Sequence, residues 1–204
     1  SLLLHNFLFP STNSKPNMLK CFLCAVLVAA VFAGLCPEQT TVNPFNVVAY
    51  QGQWYEIAEA RIPRDTFEFN LYCSGANYTF VESDGIVLVN NTGHVGSPEG
   101  ELSEADGKAK QTDPDTNPGA LAVTFSGSFP NSPNYYVLDT DYVTYTMVGG
   151  PCKEYLWILS RTPQMDDATY NMLVNEATNT FGYDLDRIGF RHDNTTGCTV
   201  LPPA

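Results

Sequence analysis

Basic residues are scarce in this chain: ten Lys and Arg stand against 22 Asp and Glu in 204 residues, a net charge of −12. Such acidity repels phosphate backbones and anionic lipid surfaces, which excludes nucleic acid as a partner class. Histidine is rarer still, with three in the whole chain, and no nucleophile elbow of the Gly-x-Ser-x-Gly form occurs. Catalysis therefore has little to stand on, and no catalytic residue is assigned. Long apolar runs are also missing. The run Cys21–Phe32 has twelve residues, short of the roughly 20 that a membrane-spanning helix needs, so no stable membrane insertion is expected.

That run has another reading. Met18-Leu19-Lys20 precedes it and Val31-Phe32-Ala33 follows it, which is the order of a start, a positive charge, an apolar core and a small-residue cleavage site. Residues 18–33 read as a signal peptide and residues 1–17 as sequence upstream of the start methionine. Residues 34–204 are then one exported, extracellular domain, of a length that buries a real core. The leader removes Lys15 and Lys20 and no acid, leaving a net charge of −14.

Cys21 and Cys24 fall in the leader, so Cys36, Cys73, Cys152 and Cys198 remain. In an exported chain four cysteines form two disulfides, with three connectivities open. No C-x-x-C pair survives cleavage, which leaves zinc without its usual spacing, and no metal site is assigned. Asn77-Tyr-Thr, Asn90-Asn-Thr and Asn194-Thr-Thr are N-glycosylation sequons suited to that route.

Short β-like runs separated by turn signals fill the domain. They are expected over 54–60, 73–82, 86–91, 101–111, 120–126, 135–139, 144–148 and 155–161, with Gly107 marking a bulge and Ser83-Asp84-Gly85 a hairpin. Eight strands with mostly short links make an up-and-down antiparallel barrel, the closure that removes exposed edges. One helix is expected after Pro163, started by Asp166 and Asp167 and stopped near Gly182, with Leu173, Ala177 and Met172 facing the barrel's outside. A short strand is expected over 188–191.

Three ordered blocks carry a family resemblance. Gly52-Gln53-Trp54-Tyr55-Glu56-Ile57 opens the first strand, Thr140-Asp141-Tyr142 sits in a turn, and Trp157-Ile158-Leu159-Ser160-Arg161 lies on the last main strand. With these blocks the chain resembles the lipocalins, and within them the apolipoprotein D and bilin-binding group, over about residues 36–198. The resemblance implies an all-β fold: an eight-stranded antiparallel barrel with one C-terminal helix packed outside, closed at one end where Arg161 lies over Trp54. It also implies disulfides Cys36–Cys152 and Cys73–Cys198. The chain departs from the group in a longer loop between Pro63 and Cys73 and in the segment 92–101, where ligand selectivity would lie.

Strand alternation then sorts side chains. Trp157 shares a face with Leu159 and Arg161, and so points inward if Arg161 does. The same period, with the family pattern, turns Tyr136 and Leu138 inward with Thr140, Tyr145 inward with Met147, and Tyr78 inward with Phe80. A cup lined by Tyr78, Tyr136, Tyr145, Met147 and Trp157 suits a lipid, steroid, fatty acid or retinoid-like molecule; rings that merely fill the barrel are the alternative. Phe67 and Phe69, in the loop 64–71, are candidates for a flap over the mouth. Glu56 shares a face with Trp54 and is a candidate for a polar ligand group. The expected function is a secreted carrier, monomeric or weakly associating, that needs no cofactor. Two alternatives stay open: a pigment protein holding biliverdin or a carotenoid, and an isomerase of the same fold, which needs a free thiol. Haem would require His94 to point inward, against its polar, turn-like surroundings.

Overall fold

The computed structural model describes residues 36–199; the expected leader lies outside them. Eight strands close into a barrel: β1 (Gly52–Glu59), β2 (Leu71–Val81), β3 (Ile86–Val95), β4 (Glu101–Gln111), β5 (Ala120–Thr124), β6 (Tyr135–Thr140), β7 (Tyr145–Gly149) and β8 (Leu156–Ser160). Each pairs antiparallel with the next in sequence, and β1 pairs with both β8 and β2, which completes the ring. A ninth strand, β9 (Arg191–His192), adds to β1 at Ala58 and Glu59. The meander and its closure follow the expected order.

Helices are few. α1 (Val47–Tyr50) and α2 (Arg61–Asp65) are single short turns flanking β1, and neither is evident from periodicity. α3 (Asp167–Asn179) is the expected helix, with the Asp166 carboxylate accepting from the Thr169 N–H as its N-cap. Leu173 and Ala177 are buried beneath it, whereas Met172 is 45% exposed, so the stripe is narrower than expected. Residues 185–188 form α4 (Leu185–Ile188), capped by Asp184 and ended by Gly189 in the left-handed region. The expected strand over 188–191 therefore begins only at Arg191, because capping residues on both sides favour one helical turn first. Gly107 makes no bulge: β3 and β4 keep register from Val87↔Ala109 to Val95↔Glu101. Its missing side chain instead leaves room for Phe125, whose ring a Cβ would meet at 2.8 Å.

The loops at Glu82–Gly85, 112–119 and 141–144 gather at one end of the barrel, and those at 60–70, 96–100, 125–134 and 150–155 at the other. The first end is sealed. Trp54 is fully buried there, and its indole N–H donates to the Tyr50 carbonyl at 2.9 Å. Arg161 lies over the ring, 3.6 Å from its centroid, and donates to the carbonyls of Gln53 (2.8 Å), Tyr142 (3.2 Å) and Ala49 (3.2 Å). A stacked cation and its carbonyl acceptors, Tyr50 at 3.5 Å among them, lock the plug more firmly than either would alone. Gly52 enters β1 at φ +90°, a conformation that glycine adopts without strain. In the turn, the Thr140 hydroxyl donates to the Tyr145 carbonyl, and Asp141 accepts from the N–H groups of Val143, Thr144 and Tyr145.

Two apolar clusters share the barrel wall. One lies inside and includes Trp54, Ala76, Tyr78, Val89, Val137, Val148 and Leu159. The other lies between the wall and α3, and includes Ile57, Leu138, Met147, Leu156, Ile158, Leu173, Ala177 and Tyr183. Cys73 is bonded to Cys198, across 125 residues of chain, and Cys36 and Cys152 are disulfide-bonded as well. A loop of that length gives a chain-entropy stabilisation of roughly 4–5 kcal/mol.

Candidate functional site

The open end leads into a cavity of about 820 Å3. It stays hollow because inward positions on β2 and β4 are small: Ser74, Ala76, Ala105 and Ala109 all line it. Facing them are larger groups, Tyr135, Val148, Trp157 and Leu159, with Phe45, Val47, Tyr50 and Tyr78 toward the closed end. Gly75 could not be larger, since a Cβ there would meet the Trp54 carbonyl oxygen at 2.4 Å.

Within this apolar lining sits a chain of hydroxyls. Tyr135 contacts Tyr50 at 2.8 Å and Tyr78 at 3.1 Å, and Tyr50 reaches Thr146 at 3.3 Å. Burial pushes the Tyr50 phenol up to about 12 and raises Tyr78 and Tyr135 as well. All three remain neutral at physiological pH, so the pocket wall offers hydrogen bonds without charge. Such a lining holds a ring or chain by apolar contact and orients it through a few polar groups.

Of the residues singled out in the sequence, Tyr78, Trp157, Glu56 and Phe67 line this cavity. Tyr136, Tyr145 and Met147 do not. They belong to the outer wall, packed in or against the cluster beneath α3. The Tyr136 hydroxyl donates to the Pro133 carbonyl and the Tyr145 hydroxyl to Asp139. Leu138, also expected inside, is in that outer cluster. The cause is a register shift between β6 and β7, between Val137 and Asp139, which inverts the inside–outside phase counted back from Thr140. On β7 the pairing decides: Trp157 opposes Val148, and Val148 opposes Val137, so those three share the inner face. Met147 opposes Ile158 on the outer one.

Tyr135, Tyr50 and Thr146 were thus missed, although Tyr135 adjoins Tyr136 and one of such a pair must face inward. Phe69 is 71% exposed and stands away from the cavity, while Phe67, 62% exposed, is at its mouth. His94 pairs with Leu102 and Tyr72 on neighbouring strands, its Nδ1 2.9 Å from the Gly100 carbonyl, and it is not a lining residue. Asn77 and Asn90 are direct partners across β2 and β3, and Asn194 is exposed after β9.

Glu56 is at the inner wall as expected, but its surroundings are not those the sequence suggests. β1 pairs with β2 only from Gly52 to Tyr55, and past that point a side pocket of about 190 Å3 opens between them. Glu56 and Glu68 line both the side pocket and the main cavity. Trp157 points its indole N–H at Glu68, 3.4 Å away. Burial, then the neighbouring Glu68 carboxylate, raises Glu56 well above the usual carboxylate range, and the same two influences raise Glu59. Glu68 was not flagged by the sequence, because nothing local in the loop shows that it folds back onto β1.

Comparison with known proteins agrees with this architecture. The family model described as "Lipocalin-like domain" matches residues 45–193. The outer membrane lipoprotein Blc of Vibrio cholerae is 35% identical over 166 residues, covering 81% of this chain and 92% of that protein. Apolipoprotein D of Rattus norvegicus is 33% identical over 147 residues, covering 69% of this chain and 73% of its own. Among solved structures, insecticyanin from Manduca sexta superposes with a TM-score of 0.61 at 22% identity, covering 81% of this chain and 90% of that one.

Proposed function

Because this chain belongs to the lipocalin family, we propose that it is an exported carrier of a small hydrophobic molecule. The observation that carries the reading is the 820 Å3 cavity, apolar in its walls and crossed by the Tyr50–Tyr78–Tyr135 hydroxyls. Cavities of this size accommodate one drug-sized molecule. Each 100 Å2 of apolar ligand surface removed from water contributes about 2.5 kcal/mol, so a ligand with a ring system or a long chain binds mainly by burial. The hydroxyls then select a molecule with one or a few acceptor groups.

Carriage without conversion fits the chemistry of the wall. Tyr50, Tyr78 and Tyr135 are neutral, and Cys36, Cys73, Cys152 and Cys198 are all disulfide-bonded and offer no thiolate. The reading includes cleavage after Ala33, a Cys36–Cys152 pairing, and glycans at Asn77, Asn90 or Asn194. Protein purified from its own source should yield a stoichiometric colourless lipophile on organic extraction. The emptied protein should bind a hydrophobic fluorescent probe that the extract displaces. An extract with a visible absorption band would put biliverdin or a carotenoid in the cavity instead. Failure to bind any probe would end the carrier reading.

A further inference from the structure

The side pocket beside the cavity has a composition that the carrier reading does not use. One carboxylate oxygen from each of Glu56, Glu59 and Glu68 lies within 4.8 Å of the others. Glu56 and Glu59 come from the half of β1 that has parted from β2, and Glu68 comes from the mouth loop that folds over it. Glu59 is only 4% exposed, and its Oε2 has no hydrogen-bond partner. Asp193, lining the same pocket, leaves its Oδ2 without a partner too.

Among the described residues no cation pairs with the three glutamates, although Arg64 is close enough to Glu59 to offset part of the repulsion. Among the described residues the ion pairs are Arg64–Asp65 and Arg187–Glu154, and neither reaches the cluster. Arg64 and Arg191 also line the pocket, but Arg64 gives its guanidinium to the carbonyls of Glu59 (3.2 Å) and Gly189 (2.9 Å). Burying like charges at this spacing is costly unless protons or a cation neutralise them. The donors are all hard oxygens, with no imidazole or thiolate among the three. Calcium takes oxygen ligands at about 2.3–2.6 Å, so two ligands on one ion lie up to roughly 5 Å apart. Magnesium, at about 2.1 Å, brings opposite ligands to roughly 4.2 Å. The observed spread fits the larger ion.

We propose that Glu56, Glu59 and Glu68 form a site for a calcium-class divalent cation that clips the mouth loop to β1 beside the cavity. The ion ties Glu68, and with it the segment bearing Phe67, to the barrel wall. The site stands whether or not the cavity holds a ligand, so its test needs none.

The indole of Trp157 reaches Glu68, which makes terbium, a luminescent stand-in for calcium, the natural probe. Titrating the full chain with Tb3+ alone and exciting tryptophan should give sensitised emission that saturates near one ion per chain and that Ca2+ displaces. Even an outer partner of a metal ligand is worth roughly tenfold in affinity, so Glu59→Gln should weaken the displaceable signal by at least that factor. Glu56→Gln, on a residue less buried than Glu59 at the same cluster, serves if Glu59→Gln does not fold. Calcium should also raise the melting temperature of the unaltered chain and leave that of the variants unmoved. Emission that Ca2+ does not displace, or that survives both substitutions unchanged, would overturn the site. So would a melting temperature that responds to pH but not to Ca2+, because protons would then be the sole neutraliser.

Discussion

The inner and outer apolar clusters are separated by one strand thickness and are built from interleaved residues of the same strands. Val137, Val148 and Leu159 belong to the inner cluster, while their neighbours Leu138, Met147 and Ile158 face α3. Residue type is nearly the same on the two sides, yet one side is hollow and the other solid. What differs is the opposing surface. Outside, Leu173, Ala177, Tyr183 and Ile188 press directly on the wall and are at most 3% exposed. Inside, the opposite wall carries Ser74, Ala76, Ala105 and Ala109, too short to meet the larger residues across the barrel. The outer cluster is therefore close-packed, while the inner one is solid only at its sealed end and leaves room for a guest above it.

The largest effect should come from opening the solid side. Leu173 is fully buried between α3 and the barrel, and Leu173→Ala should cost about 2–5 kcal/mol, the transfer term plus a cavity. Chemical denaturation would measure the loss. Probe affinity of the molecules that remain folded should not change, since Leu173 does not line the cavity. A variant that lost affinity with little loss of stability would erase the division between the two clusters.

A matched pair of substitutions sharpens the same contrast. Ala177 and Ala109 are both nearly inaccessible, at 0% and 3% exposure. Ala177→Leu inserts methylenes into a close-packed contact and should destabilise by about 1–3 kcal/mol. Ala109→Leu adds the same volume to a hollow. It should leave unfolding almost unaltered while weakening the fluorescent probe measurably. Equal destabilisation by both would mean that the cavity is not hollow in solution.

How far the sequence foretold this division depends on whether the informative residues are contiguous. Gly52 and Trp54 lie in one short block, and Arg161 ends another, so the sealed end is legible through the family resemblance those contiguous blocks carry. The Asp166 cap is equally local. Inside and outside on β6 and β7 are not legible, for two physical reasons. A helix covers the outer face, so both faces are apolar and alternation carries no sign. The register shift after Val137 then inverts the phase, sending Tyr136 out and Tyr135 in. The carboxylate cluster was hidden differently. Glu56 was a visible candidate, but its meeting with Glu68 depends on a loop whose path no local pattern records.

The smallest effect concerns the rim, where two phenylalanines only two residues apart have been treated alike. Phe67 lines the cavity mouth and Phe69 stands in solvent. Phe67 is 62% exposed, so it gives up only a fraction of its surface to a ligand, contributing about 1 kcal/mol or roughly a fivefold change in off-rate. Phe67→Ser should therefore speed probe release by about that factor in a stopped-flow competition, and Phe69→Ser should leave it alone. Neither should move the melting temperature, because neither ring is part of a buried cluster. If both substitutions sped release equally, the whole segment 66–70 would act as one flap, and the rim would owe its hold on the ligand to loop closure rather than to a single aromatic contact.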